Sequence, residues 1–292
     1  MALAVSAAQE APIGSTTARG MTGQRFSYTV KPGDSLTLVS ARFGVDVAGL
    51  ADLNGLTAGA GLRVGQPLAI DNRHLIPDRP DRAIVINIPQ RMLFHRAADG
   101  TVRAYPVGLG RPTWPTFIGR FTVASLETDP VWDVPPSIQA EMRRTGKPVL
   151  TRVMPGPTNP LGAFWIGLDR PGYGIHGTNA PASIYRFQTH GCIRLHPNDV
   201  TRLFHEVAVG AAGEIVYEPL LLVQMRDGRI WLGAHPDVYR RARDPLVVAR
   251  QLASQDELEG EIDWLAVREV LRAKRGTPVD VTWSAAPARR KG

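Results

Sequence analysis

Cys192 is the one cysteine in the chain, within His190-Gly191-Cys192-Ile193-Arg194-Leu195. A second histidine segment, His176-Gly177-Thr178-Asn179, precedes it, with Pro181, Ser183 and Ile184 between. The thiolate is the nucleophilic form of cysteine, and imidazole or guanidinium neighbours favour it. Glycine beside the sulfur permits backbone N–H groups to approach a reacting carbonyl closely. These residue types could therefore perform nucleophilic acyl transfer. The thiol attacks, an imidazole takes its proton, and N–H groups near Gly191 and Cys192 hold the oxyanion. Arg194 fits either a substrate carboxylate or a structural ion pair. The competing reading of Cys192 is a small buried hydrophobe. A single cysteine excludes an intrachain disulfide and a multi-cysteine zinc site. Metal hydrolysis is disfavoured, because the histidines lack a carboxylate partner at recognised ligand spacing. No metal or cofactor is expected.

If residues 190–194 are extended, His190, Cys192 and Arg194 share one face. Positions two apart are then about 6.6 Å apart along the strand, beyond the roughly 3 Å reach of a general base. His176 comes from a separate segment and can approach the sulfur across a sheet, with the turn-rich stretch Asn179 to Thr189 folding back. That geometry predicts His176 as the direct proton acceptor and gives His190 a supporting role. A tight turn at Gly191 would reverse the argument. Arg186 reads as a solvated side chain.

The elements that must position these groups are mostly strands. From Ala83, Ile84, Ile86 and Ile88 alternate with other residues. Asp99-Gly100 separates Met92-Leu93-Phe94 from Val102–Val107, a hairpin signal, and Asp227-Gly228 is a second one between Leu221–Met225 and Arg229–Leu232. Many short apolar segments divided by Gly and Pro point to a β-sandwich or partly closed barrel over residues 83–220. Residues 221–292 read as an extension with a hairpin and helices that rest on the β domain. Asp244-Pro245 starts one helix; Asp263 caps another, with Trp264, Val267 and Leu271 on one face and Gly276 closing it.

Residues 27–71 read as a small α+β unit in the order strand, helix, helix, strand. Ser27–Val30 is the first strand, and Asp34 is placed to cap a helix bearing Leu36, Val39 and Phe43. Gly44 stops it. Asp46 caps a second helix that ends at Asn54-Gly55, and Leu62–Ile70 supplies the return strand. Residues 72–82, with Pro77 and Pro80, read as a linker. Residues 1–26 read as a disordered tail or a signal-peptide remnant, since residues 2–8 resemble the end of an apolar region with a small-residue cleavage site.

The chain has 292 residues and a formal net charge of +7. Its only lysines are Lys31, Lys147, Lys274 and Lys291, so arginine carries the charge. The basic residues are scattered, apart from Arg289, Arg290 and Lys291. That pattern reads as a solvated surface rather than a nucleic-acid face. No apolar run reaches the roughly 18 residues of a membrane span.

Residues 27–71 resemble a LysM module. The matching segments are Tyr28–Leu36, Ala41–Val45, Leu53–Leu56 and Leu62–Leu68. The resemblance implies binding to N-acetylglucosamine-containing glycans such as peptidoglycan; a spacer that no longer binds sugar is the alternative. The stretch from His176 to Arg194 resembles the signature of the YkuD-type L,D-transpeptidases: His-Gly-Thr, then Ser-Ile-Gly, then Ser-His-Gly-Cys, a hydrophobic residue and Arg. Tyr105–Gly108, Ile118–Thr122 and Pro157–Gly162 are further matches. His235–Tyr239 falls in the extension seen in lipoprotein-attaching members. Two positions depart from the pattern. Tyr185 stands where the family has Gly, beside the site, and Thr189 replaces Ser while keeping a hydroxyl.

The resemblance implies that Cys192 attacks the carbonyl preceding a terminal D-Ala in a peptidoglycan tetrapeptide stem. D-Ala leaves, a thioester forms, and an amine from another stem or from a lipoprotein lysine resolves it. Carbapenems would acylate the same thiol. Cys192, His176 and His190 are the implied catalytic residues. Gly177, Thr178, Ser183, Gly191 and Arg194 are implied for substrate or oxyanion contacts. The implied compartment is the periplasm or cell envelope, and the implied partners are peptidoglycan and an outer-membrane lipoprotein. The alternatives are an L,D-carboxypeptidase or amidase of the same fold, with water as acceptor, and a non-catalytic peptidoglycan-binding protein.

Overall fold

The computed structural model describes residues 18–284. The proposed signal remnant at residues 2–8 and the basic group Arg289, Arg290 and Lys291 lie outside the described residues.

The N-terminal unit opens with β1 (Ala18–Thr22) and β2 (Arg25–Thr29), continues through α1 (Leu36–Phe43) and α2 (Val47–Leu53), and closes with β3 (Pro67–Asp71) and β4 (His74–Pro77). β2 and β3 pair antiparallel, with Tyr28 opposite Leu68. The cap of α1 is Ser35, whose hydroxyl accepts from Leu38 N–H, and not Asp34. The Asp34 carboxylate is already engaged by the Tyr28 hydroxyl at 2.6 Å and Lys31 N–H at 2.8 Å, which close the turn before the helix. Gly44 ends α1 in the left-handed region at φ 66°, and Asp46 caps α2 through Gly49 N–H, both as expected. The return strand begins only at Pro67, since Gly65 turns at φ 84° just before it.

The expected linker and part of the expected tail are ordered. β1 pairs antiparallel with β4, which places a strand inside residues 72–82 and another inside residues 1–26. Apolar burial accounts for both. Leu75 packs with Leu221, Val223 and Trp231 of the C-terminal hairpin, and Met21 lies against the same cluster.

The central domain contains β5 (Ile84–Asn87), β6 (Met92–Arg96), β7 (Val102–Gly110), β8 (Gly119–Thr128), β9 (Trp132–Asp133), α3 (Pro136–Arg144), β10 (Arg152–Val153), β11 (Phe164–Leu168), β12 (Gly174–His176), β13 (Phe187–Thr189), β14 (Ile193–Leu195), α4 (Pro197–Glu206) and β15 (Ala212–Val216). The nine-stranded sheet runs β13-β7-β14-β12-β11-β8-β15-β5-β6, and β6 pairs again with β7. The sheet therefore closes on itself as a barrel. Alternation sends Ile84, Ile86, Val107, Leu109, Ile175, Ile193 and Ile215 inward, where Val200 and Leu203 of α4 complete the core. β9, α3 and β10 form an excursion from the barrel between β8 and β11.

The C-terminal extension consists of β16 (Leu220–Gln224), β17 (Ile230–Ala234), α5 (Pro245–Gln255), α6 (Trp264–Ala273) and β18 (Val279–Asp280). The Asp227-Gly228 hairpin forms as expected. Asp244 and Asp263 cap the two helices. Their apolar faces pack on β16 and β17 in a core of their own, not on the barrel. α6 stops at Lys274, left-handed at φ 49°, two residues before the expected Gly276.

Candidate active site

β12 and β14 lie side by side and parallel, with Ile175 opposite Ile193 and His176 opposite Arg194. The two isoleucines point into the barrel core, so His176 and Arg194 occupy the opposite face. The His176–Arg194 contact is electrostatic as well as spatial, since Arg194 lowers the pKa values of both His176 and Cys192. The topology thus brings both segments of the signature together.

Residues 190–192 are not extended. β13 ends at Thr189, β14 begins at Ile193, and Gly191 has φ +110°. The extended spacing expected to separate His190 from the sulfur is therefore not present, because the chain turns at Gly191. Glycine is required there twice over: the φ is strained for any side chain, and a Cβ would sit 3.0 Å from the Tyr173 ring. The Thr189 hydroxyl holds the turn, donating to Cys192 C=O at 2.7 Å and accepting from Gly191 N–H at 3.2 Å. This retains the hydroxyl chemistry of the family's Ser. It also engages Gly191 N–H, one of the expected oxyanion donors. From the other side, Thr116 donates to Gly191 C=O at 2.9 Å, and Thr116 N–H donates to the Tyr239 hydroxyl at 3.1 Å. Tyr239 belongs to the C-terminal extension, which therefore braces the turn that carries the thiol.

Cys192 is half-buried, and its Sγ donates to Gly172 C=O at 3.4 Å. Among the described residues no hydrogen bond joins the sulfur to either histidine. Burial raises the thiol pKa; a backbone contact at Gly174 and the Arg194 charge offset only part of that. His176 is buried, and burial, reinforced by Arg194, pushes it down to about 3. At neutral pH the groups are a thiol and a neutral imidazole, not the thiolate favoured by cationic neighbours that the sequence implied. His176 Nδ1 lies 2.7 Å from Gly177 C=O. A carbonyl only accepts, so Nδ1 carries the hydrogen and Nε2 keeps its lone pair. Trp165 stacks on the ring, with centroids 5.8 Å apart.

Arg194 donates to the Ser183 hydroxyl at 3.2 Å, and its buried Nε has no protein partner. No carboxylate pairs with it among the described residues, so the structural ion pair is absent. Ser183 donates onward to Ala180 C=O at 2.6 Å, Thr178 accepts from Ala180 N–H at 3.0 Å, and Gly177 lies tight against Leu161 C=O. These three shape the loop between His176 and Cys192.

His190 turns away from Arg194 to a cluster that the sequence reading missed. Its Nε2 meets the Glu141 carboxylate and lies 3.1 Å from Arg111 Nη2. Arg111 bonds Glu141 at 2.6 Å, and the Trp114 ring stands edge-on to the imidazole at 4.5 Å. Glu141 lies far away in sequence on an excursion without core periodicity, so no local signal marked it.

Tyr185 is not beside the thiol. It is buried at 4% exposure among Ala41, Met92, Phe94 and Val216, between α1 and the barrel. Its φ of 60° explains why glycine suits this position. Arg186 is exposed, and its guanidinium reaches the Thr37 hydroxyl of α1 at 3.4 Å.

A closed β-sheet presenting one thiol, a neutral buried imidazole and a guanidinium with no carboxylate partner among the described residues has the parts of an acyl-transfer enzyme. Residues 81–217 match the L,D-transpeptidase catalytic domain, YkuD, and residues 28–71 match the LysM domain. The chain is 30% identical over 279 residues to the probable L,D-transpeptidase ErfK/SrfK of Salmonella typhimurium, covering 90% of this chain and 88% of that protein. It is 28% identical over 281 residues to the probable L,D-transpeptidase ErfK/SrfK of Escherichia coli, covering 90% of this chain and 87% of that protein. It is also 30% identical to the putative L,D-transpeptidase YkuD of Bacillus subtilis, over 61% of this chain and 90% of that one. The chain belongs to the L,D-transpeptidase family and carries a LysM module. Both domains imply peptidoglycan as its partner.

Proposed function

We propose that Cys192 is the nucleophile of peptide-stem acyl transfer and that His176 is its proton acceptor. The observation that supports this reading is the parallel pairing of β12 with β14, which sets His176 opposite Arg194, the residue whose charge acts on Cys192. In the resting protein the thiol donates to Gly172 C=O. When an acyl donor enters, the proton passes from Sγ to His176 Nε2 as sulfur bonds the stem carbonyl. The tetrahedral oxyanion is held by backbone N–H groups, with the Cys192 N–H a candidate now that Thr189 engages Gly191 N–H. Collapse expels D-Ala, whose amine takes the proton back from His176. An amine acceptor then attacks the thioester and returns the enzyme to its thiol form. Arg194, without a protein carboxylate, receives a carboxylate of the stem. His190 supports the turn. We assign the acceptor as an amine, from a second stem or a lipoprotein lysine, and the site of action as the cell envelope outside the cytoplasmic membrane. The residue boundaries that serve this reading are 27–71 for glycan binding, 83–220 for catalysis and 221–292 for support of the active-site turn.

The test is mass spectrometry of the protein with a disaccharide-tetrapeptide. The expected result is D-Ala loss and a thioester on Cys192, both abolished in Cys192→Ala with the fold intact. Addition of diaminopimelate or of a lysine-ended lipoprotein peptide separates the two amine acceptors, and release as the free acid in their presence identifies a hydrolase. Near-normal turnover by Cys192→Ala overturns the thiol mechanism.

A further inference from the structure

α3 buries none of its residues, yet it is held against the turn that carries the nucleophile. The tether is one carboxylate. Glu141 receives Arg111 Nη2 at 2.6 Å and meets His190 Nε2. Hydrogen bonds from His190 and Arg111 hold the Glu141 carboxyl at about 2, so it is ionised at neutral pH. An ionised carboxylate has no hydrogen to give, so the His190–Glu141 bond requires the hydrogen on Nε2. Arg111 approaches the same nitrogen at 3.1 Å, but a guanidinium only donates; with Nε2 protonated, its partner is the carboxylate. Trp114 closes one side of the ring. The imidazole two positions before Cys192 is thus fixed in tautomer and in plane by groups from two distant parts of the chain.

We propose that Glu141 is a positioning residue for acyl transfer, reaching in from α3 to fix the Nε2–H tautomer and ring orientation of His190, two residues before the nucleophile. The inference rests on the reading of Cys192 as nucleophile. Val134 and Asn159 are buried and anchor the flanks of the excursion, while Glu141 ties the otherwise unburied α3 to the His190 ring. The partner of Glu141 is the His190 ring rather than substrate, and its loss acts on catalysis through that ring.

The experiment compares the full-length protein with Glu141→Gln and Glu141→Asp, using disaccharide-tetrapeptide as donor and diaminopimelate as acceptor. Nitrogen-15 NMR of the imidazoles, with His190→Gln for assignment, reads the tautomer. In Glu141→Gln, kcat is expected to fall by roughly tenfold or more, with KM little changed and a loss of the His190 Nε2–H signal. Glu141→Asp is expected to recover part of both. Thermal unfolding should be unchanged, since α3 buries nothing. Unchanged kcat in Glu141→Gln overturns the proposal. So does a fall in kcat with the His190 tautomer intact, which would make α3 merely a wall of the donor site. Failure of the underlying reading looks different: the unmodified protein would then form no thioester on Cys192.

Discussion

The Arg91 guanidinium carbon lies 4.0 Å from the centre of the Tyr185 ring, and Arg91 Nη1 donates to Tyr185 C=O at 3.2 Å. Both interactions depend on the left-handed backbone of Tyr185. The strain of that conformation, about 1–2 kcal/mol for a side-chain-bearing residue, is offset by burial of the ring and by the cation–π contact, worth about 2 kcal/mol when desolvated. Tyr185→Ala keeps the strain and loses the ring, so it should destabilise by about 3–5 kcal/mol. Tyr185→Gly loses the ring but relieves the strain. It should be more stable than Tyr185→Ala by about 1 kcal/mol. Urea unfolding of the two variants checks this; equal stabilities would remove the strain argument.

Acid should weaken the fold through buried neutral histidines. Burial pushes His74 down to about 4, and His235 goes well below its ordinary value, also by burial, with the neighbouring His74 and Arg91 adding to it. Unfolded histidine titrates near 6.5, so below that pH the unfolded chain binds more protons. Stability is therefore complete above about pH 6.5 and is lost as pH falls toward about 4, by a few kcal/mol for His74 alone. Urea midpoints at pH 7 and pH 5 should separate clearly in the natural sequence and less so in His74→Gln. An equal drop in both would clear His74 of the effect.

The thiol should be slow to alkylate at neutral pH. Burial raises the Cys192 pKa, while Arg194 favours the thiolate and lowers it. The rate of iodoacetamide modification should still be climbing with pH above the ordinary thiol range near 8.5. Arg194→Gln should move the profile further upward. A profile that levels off below pH 7 would show a resting thiolate and overturn the neutral thiol–imidazole pair.

The thiol signature, the two hairpins and the helix caps at Asp46, Asp244 and Asp263 were legible because each is local: a turn dipeptide, a capping carboxylate, a run of specified residues. What escaped the sequence depends on distant partners. Pro77 and Pro80 mark residues 72–82 as a linker by local chemistry, but Leu75 finds an apolar pocket made by Trp231 and Leu221. Tyr185 looked adjacent to the site because Cys192 follows it closely, yet it packs between α1 and the barrel with Ala41, Met92 and Phe94. Glu141 and Arg111 carry no pattern of their own; only the fold brings them to His190. Gly191 carried the ambiguity openly, since a glycine allows either a strand or a turn, and the contacts of Thr189 and Thr116 decide for the turn.

α1 of the LysM module touches residues 181–183, in the loop between His176 and Cys192. Ala41 on α1 is buried in the shared cluster with Ile184 and Tyr185, whereas Leu36, Val39, Leu50 and Leu68 form the module's own core. Ala41→Arg should therefore separate the module from the barrel without unfolding either core. A buried charge without a partner is too costly to keep in the joint. The loop from Asn179 to Thr189 then loses its backing, and with it the Ser183 contact that orients Arg194. Turnover of a soluble disaccharide-tetrapeptide should fall several-fold in Ala41→Arg, although residue 41 belongs to the LysM module. Retention on insoluble peptidoglycan should persist, because the module's own core is untouched. The two measurements together check the coupling. Full turnover in Ala41→Arg would mean that the loop stands without the module, and the two domains would then share a chain without sharing a mechanism.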